Sequence, residues 1–139
     1  MQSPLPGTVP DTPSAVFERI ATQPGAYWLD SGPVCGPHAR YHLLGCNPSA
    51  ELRPHNRNPF ECMRTFLEPL KSEKALPIPA ARVVGYLAYD LGRFIEQVPH
   101  SKSPQYDELV LNQYDACVTF DMSLGRAWLS ASSTAAASA

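Results

Sequence analysis

Apolar positions recur along the chain in short, punctuated runs whose spacing predicts three helices and five strands. Thr12-Pro13 places a capping hydroxyl before a first-turn proline, and Val16, Phe17 and Ile20 give the helix that follows one apolar stripe. Gln23-Pro24-Gly25 ends it. Ala26 to Leu29 is apolar on both alternating faces, as a central strand is, and Tyr41 to Leu44 resumes strand character after a Pro/Gly loop. These two strands are expected to share a sheet. Asn58-Pro59-Phe60-Glu61 sets a cap, a first-turn proline and a third-position Glu, with Phe60, Met63, Leu67 and Leu70 along one face and a stop near Pro69.

Lys71 to Ala81 reads as a connector, and Arg82 to Leu87 as a strand. Asp90 then caps a third helix, with Leu91, Phe94, Ile95 and Val98 at helical spacing and Pro99 as its end. After a polar loop over 99–108, Tyr114 to Asp121 and Arg126 to Ala131 flank Met122-Ser123-Leu124-Gly125 as a hairpin. This order favours an α+β domain over 13–131, a mixed or antiparallel sheet flanked by about three helices, rather than a regular βαβ repeat. Residues 1–12 are expected to be a disordered Pro-rich leader and 132–139 a disordered Ala/Ser tail, too poor in apolar bulk to pack. An ending so soon after a strand suits a fragment of something longer.

Composition narrows the function. A chain of 139 residues that is 44% hydrophobic fills one modest core. Its 11 Lys and Arg are unclustered and its net charge is −2, which leaves no electrostatic footprint for nucleic acid or an acidic membrane. MQSPLPGTVPDTP lacks the cationic start and apolar run of a secretory signal, and no window is long and apolar enough to span a bilayer. A cytoplasmic location is expected, where Cys35, Cys46, Cys62 and Cys117 stay reduced as packing residues.

Residue chemistry alone yields no active site. Ser31, in Asp30-Ser31-Gly32, lacks the Gly-x-Ser-x-Gly elbow, and Asp-Ser-Gly is ordinary turn chemistry, although His38 and His42 stand nearby as candidate bases. Cys35-x-x-His38 is followed only by scattered Cys46, His55 and Cys62, which do not form a metal-ligand spacing. Gly85-Tyr86-Leu87-Ala88-Tyr89-Asp90 lacks the three glycines of a dinucleotide cradle. Asp115 with Asp121, and Glu61 with Glu68, suit solvated or capping roles better than acid–base pairs.

The segments WLDSG, RYHLLGCNPSAELR, PFECMRTFL, VVGYLAYDLGRFIEQVP and YDACVTFDMSLGRAWL, over about residues 14 to 130, resemble in order and spacing a known N-terminal region. It is that of component I of para-aminobenzoate (aminodeoxychorismate) synthase, in the anthranilate synthase component I family. GYLAYDLGRFIEQVP is the most specific piece. The resemblance implies part of the larger α/β sandwich of the chorismate-utilising enzymes. It also implies a role in making 4-amino-4-deoxychorismate, for folate biosynthesis, from chorismate and ammonia. In that family a larger C-terminal domain holds chorismate and Mg²⁺, and a glutamine amidotransferase subunit supplies ammonia. What is implied here is therefore a non-catalytic portion with no cofactor of its own, whose partners are that domain and that subunit.

The same resemblance implies an L-tryptophan pocket whose residues match Ser31 and His38-Ala39-Arg40-Tyr41. The anthranilate branch usually carries Leu-Glu-Ser where this chain has Leu29-Asp30-Ser31, and Pro33 and Pro37 stand in the loop beyond, which favours the para-aminobenzoate branch. The alternatives are the N-terminal portion of anthranilate synthase component I, and a free-standing amino-acid-binding or docking module.

Overall fold

The computed structural model describes residues 2–4, 12–32, 39–55, 57–72, 76–96 and 106–132. Helix α1 spans Pro13–Ile20, and the Thr12 hydroxyl accepts the Ala15 amide at its start. Helix α2 spans Pro59–Leu67, where Asn58 Oδ1 accepts the amides of Phe60 and Glu61. Both caps satisfy amides that have no partner within the first helical turn. Past Leu67 the chain tightens into a 3-10 turn over Glu68–Ser72, because Pro69 offers no amide to an α-helical ladder.

The third helix departs from expectation. It is a short 3-10 helix over Tyr89–Phe94, entered from Ala88 with no side-chain cap, and Asp90 lies inside its first turn rather than before it. Gly92 in its middle weakens any α-helical alternative. Val98 and Pro99 lie outside the described residues.

Among the described residues, eight strands form two antiparallel sheets. They are β1 (Gln2–Pro4), β2 (Tyr27–Leu29), β3 (Tyr41–Gly45), β4 (Ala50–Leu52), β5 (Val83–Leu87), β6 (Leu109–Gln113), β7 (Ala116–Asp121) and β8 (Arg126–Ala131). The first sheet runs β1-β8-β7-β3-β2 and the second β4-β6-β5. The architecture is thus α+β and antiparallel throughout. Strands β2 and β3 do share a sheet, but β2 is its edge among the described residues and Leu29 is exposed, so the all-apolar run does not mark a central strand. Within the stretch expected to be a leader, Gln2, Ser3 and Pro4 pair with Ser130, Leu129 and Trp128. Residues 5–11 of that stretch, and 133–139 of the expected tail, lie outside the described residues.

Strand alternation sorts side chains onto the two faces of the first sheet. One face buries Leu44, Phe120 and Ala127 against Val16, Phe17 and Ile20 of α1 and against Trp28. The other buries Tyr27 and Cys117 with Tyr114, against Ala80, Ala81 and Val84 at the approach to β5. In the second sheet Leu109 and Leu111 pack with Leu91 and with Phe60, Met63 and Phe66 of α2. Phe66, rather than Leu67 or Leu70, completes that helix face.

Three side chains supply donors where backbone carbonyls would otherwise be buried unpaired. The Tyr27 hydroxyl donates to the Ala81 carbonyl at 2.8 Å, Thr119 Oγ1 to Pro79 at 2.7 Å and the Tyr114 hydroxyl to Gly25 at 2.7 Å. The first two bonds fasten the connector before β5 onto the first sheet.

Candidate functional site

The loop between β2 and β3 is held at both ends. As β2 finishes, Asp30 Oδ1 accepts the Gly32 amide at 2.7 Å, closing a tight turn in which Gly32 takes φ +79°. Ser31 Oγ reaches across and donates to the Tyr41 carbonyl at 2.6 Å. On the β3 side Ala39 is buried, the Arg40 carbonyl accepts the Met122 amide at 2.9 Å, and the Arg40 guanidinium lies 4.8 Å over the Tyr41 ring.

Asp121 anchors the whole arrangement. Its side chain is fully buried and pairs in a fork with Arg40, whose own side chain is 41% exposed. It also accepts the Ser123 amide and hydroxyl and the Leu124 amide, so it caps the β7–β8 turn, which Gly125 closes at φ +59°. The Arg40 bonds hold the Asp121 carboxyl down at about 2, despite the opposing cost of burial, and the same bond raises the Arg40 guanidinium.

Ser31, Ala39, Arg40 and Tyr41 therefore meet at the base of this loop, and His38 lies outside the described residues. The adjoining cleft, about 340 Å³, is lined instead by Pro13, Ser14, Trp28, Asp30, Gly32, His42 and Met122. Period-two alternation explains the difference: Tyr41 and Leu43 project to one face of the sheet, and His42 and Leu44 to the other, where Trp28 lies.

Inside the cleft, His42 Nδ1 is 3.2 Å from the Trp28 indole nitrogen and also 3.2 Å from Asp30 Oδ1. That nitrogen can accept the indole N–H only while it carries no proton, and can donate to Asp30 only when it does. The two contacts are alternatives. An apolar lining of Trp28, Pro13 and Met122 beside one carboxylate suits a ligand with an ammonium group and an apolar body.

The other constellations stay apart. Ser31 spends its proton on a carbonyl while His42 Nδ1 faces Trp28 and Asp30, so no nucleophile–base pair forms between them. Asp115 takes the Ser132 hydroxyl and Glu68 pairs with Lys71. Among the described residues no three His, Cys, Asp or Glu side chains are grouped to hold a metal ion, and Cys46, Cys62 and Cys117 are free thiols. No described helix is long and apolar enough to cross a membrane.

No protein-family model matches the chain. It is 31% identical over 126 residues to anthranilate synthase component 1 of Streptomyces coelicolor, an alignment covering 85% of this chain and 24% of that protein. The chain is related to anthranilate synthase component 1. The Arthrobacter globiformis enzyme is 27% identical over 123 residues, covering 73% of this chain and 23% of its own. The Pseudomonas putida enzyme is 26% identical over 139 residues, covering 84% and 28%. The chain thus spans about a quarter of the length of these relatives.

Trp28, Asp30, His42 and Asp121 are the residues that sequence reasoning did not place at the site. Alternation along β2 and β3 was a signal for Trp28 and His42, since both lie on the face that receives α1. Nothing local signalled Asp121, whose partner is 81 positions away.

Proposed function

We propose that the chain is the non-catalytic portion of a chorismate-aminating synthase of the anthranilate synthase component I kind. It works with a chorismate-binding portion that holds Mg²⁺ and with a glutamine amidotransferase subunit that delivers ammonia. The observation that carries this reading is the match to the S. coelicolor enzyme, which takes in 85% of this chain but only 24% of that protein. Chorismate is a dianion, and its amination needs cationic donors and a metal beside the leaving group. Here Arg40 is neutralised by Asp121, Arg53 by Glu51 and Asp107, and Arg93 by Glu108. The described residues offer no set that fits Mg²⁺.

Within that role the β2–β3 loop is an amino-acid site of the tryptophan type. Ser31, Ala39 and Arg40 hold the base of the loop that borders it, Asp30 receives the ligand's ammonium, and Trp28 and Met122 line the place of its ring. A second reading, aminodeoxychorismate synthase, is favoured by Asp30 standing where the resemblance gives Glu in the anthranilate branch.

The test is co-expression with the part of the S. coelicolor enzyme outside the matched stretch, supplied with chorismate, ammonia and Mg²⁺. Anthranilate forming only when both portions are present supports the proposal. Turnover by the 139-residue chain alone, or no effect of adding it, overturns both. Tryptophan binding to the chain, followed by calorimetry, is expected to be weak and to be lost in Asp30→Asn.

A further inference from the structure

The open edge of β5 carries a row of backbone groups with no strand beside them. Ala88 donates to the Glu108 carbonyl at 2.7 Å and Tyr114 to the Arg82 carbonyl at 2.8 Å, which fixes the even-numbered residues 82 to 88 as those bonded to β6. By the alternation of an antiparallel ladder, the N–H and C=O groups of Val83, Gly85 and Leu87 point the other way. In the order β4-β6-β5 nothing among the described residues pairs on that side.

Natural sheet edges are blunted by lysines, prolines or inward charges, because a bare apolar edge recruits other strands. Val83-Val84-Gly85-Tyr86-Leu87 has none of these. Exposed apolar side chains gather at the same place: Leu87 is 53% exposed, and in the 3-10 helix and the residue beyond it Tyr89 is 98% and Ile95 72% exposed. Tyr86 and Phe94 add to the patch. Exposed apolar side chains beside a bare strand edge mark a partner.

We infer that the β5 edge is completed by one extended strand of the chorismate-binding portion, added antiparallel or parallel to Val83–Leu87, with the flank of that portion covering Tyr89 and Ile95. The inference rests on the function proposed above. The choice of occupant follows from length, since the alignments leave about three-quarters of each relative outside the matched stretch. A row of backbone groups also calls for a strand rather than a small ligand.

Amide hydrogen exchange of the full chain tests this, alone and mixed with the unmatched part of the S. coelicolor enzyme. The amides of Val83, Gly85 and Leu87 are expected to exchange freely in the isolated chain and at least about tenfold more slowly in the mixture. Leu87→Lys, at a half-exposed position, is expected to weaken association about tenfold with the melting temperature unchanged. Association that leaves these three amides unprotected overturns the edge assignment while the proposed function survives. Failure of the two portions to associate overturns both. Protection that rises with the concentration of this chain alone overturns the choice of partner in favour of a second copy.

Discussion

Arg40 and Asp121 meet from 81 positions apart, with Arg40 Nε 3.0 Å from each carboxylate oxygen and Nη2 2.5 Å from Oδ2. Asp121 is buried and Arg40 reaches solvent, so the pair ties the base of the β2–β3 loop to the β7–β8 turn at one point. Removing the arginine alone leaves a buried carboxylate with only hydroxyl and amide donors. Arg40→Met is therefore expected to lower the urea midpoint, while Arg40→Met with Asp121→Asn recovers part of the loss. A double variant no more stable than the single one contradicts the account.

The same pair sets an acid limit. Folding holds the Asp121 carboxyl at about 2, below the ordinary aspartate value near 3.9 that it regains on unfolding. Because the folded value is depressed, its contribution is complete above about pH 4 and drains away as pH falls toward 2. With half-exposed Arg40 screened by solvent, about 1 to 2 kcal/mol is expected to be lost over that interval. Urea titrations at stepwise pH check it, and Asp121→Asn is expected to flatten that part of the profile.

Gly85 is a position where only hydrogen fits. A Cβ built there falls 1.9 Å from the Val110 carbonyl oxygen and 2.9 Å from the Leu111 Cα, both backbone atoms of the paired strand. Gly85→Ala is expected to destabilise by about 2 kcal/mol or more, because β5 and β6 must move apart. Gly92, with nothing within 4 Å of its added Cβ, is the control. Gly92→Ala is expected to be neutral or to stabilise by up to about 1 kcal/mol. Equal thermal shifts for the two variants defeat the argument.

Local chemistry made α1, α2 and the β7–β8 hairpin legible, because caps, prolines and turn residues act within a few positions of one another. The second sheet was not legible. Strand β6 ends at Gln113 and β7 begins at Ala116, so Tyr114 and Asp115 alone carry the chain from one sheet to the other, and the apolar run around them hides the switch. Strand β4 is three residues long, with too little pattern to read. At the site, Asp-Ser-Gly announced a turn and the resemblance named Ser31 and His38-Ala39-Arg40-Tyr41. Which face each side chain takes depended on strand register, and so Trp28 and His42 came to light only in the fold.

Cys117 is expected to behave differently from the other described thiols. It is 2% exposed beside Tyr27 and Tyr114, and burial raises its thiol above the ordinary value. In the native chain it is expected to react with an aromatic disulfide reagent only after unfolding, whereas Cys46 and Cys62, half-buried, react without it. Mass spectrometry of the labelled peptides separates the sites. Rapid native labelling of Cys117 contradicts its placement in this core.

Asp30 and Trp28 compete for one nitrogen of His42, and the competition can be tilted by a single atom. Each partner stands 3.2 Å from Nδ1, but Trp28 needs that nitrogen bare and Asp30 needs it protonated. One contact therefore excludes the other at any moment. Asp30→Asn removes the carboxylate that draws a proton onto Nδ1, so the Trp28 N–H is expected to be hydrogen-bonded in a larger share of molecules than in the parent chain. The indole N–H resonance reports this directly once Trp128, the only other tryptophan, is assigned through Trp128→Phe. A Trp28 resonance at the same position with Asp30 and with Asn in its place shows that the carboxylate has no hold on the imidazole. An ammonium ligand seated on Asp30 then has no route to His42.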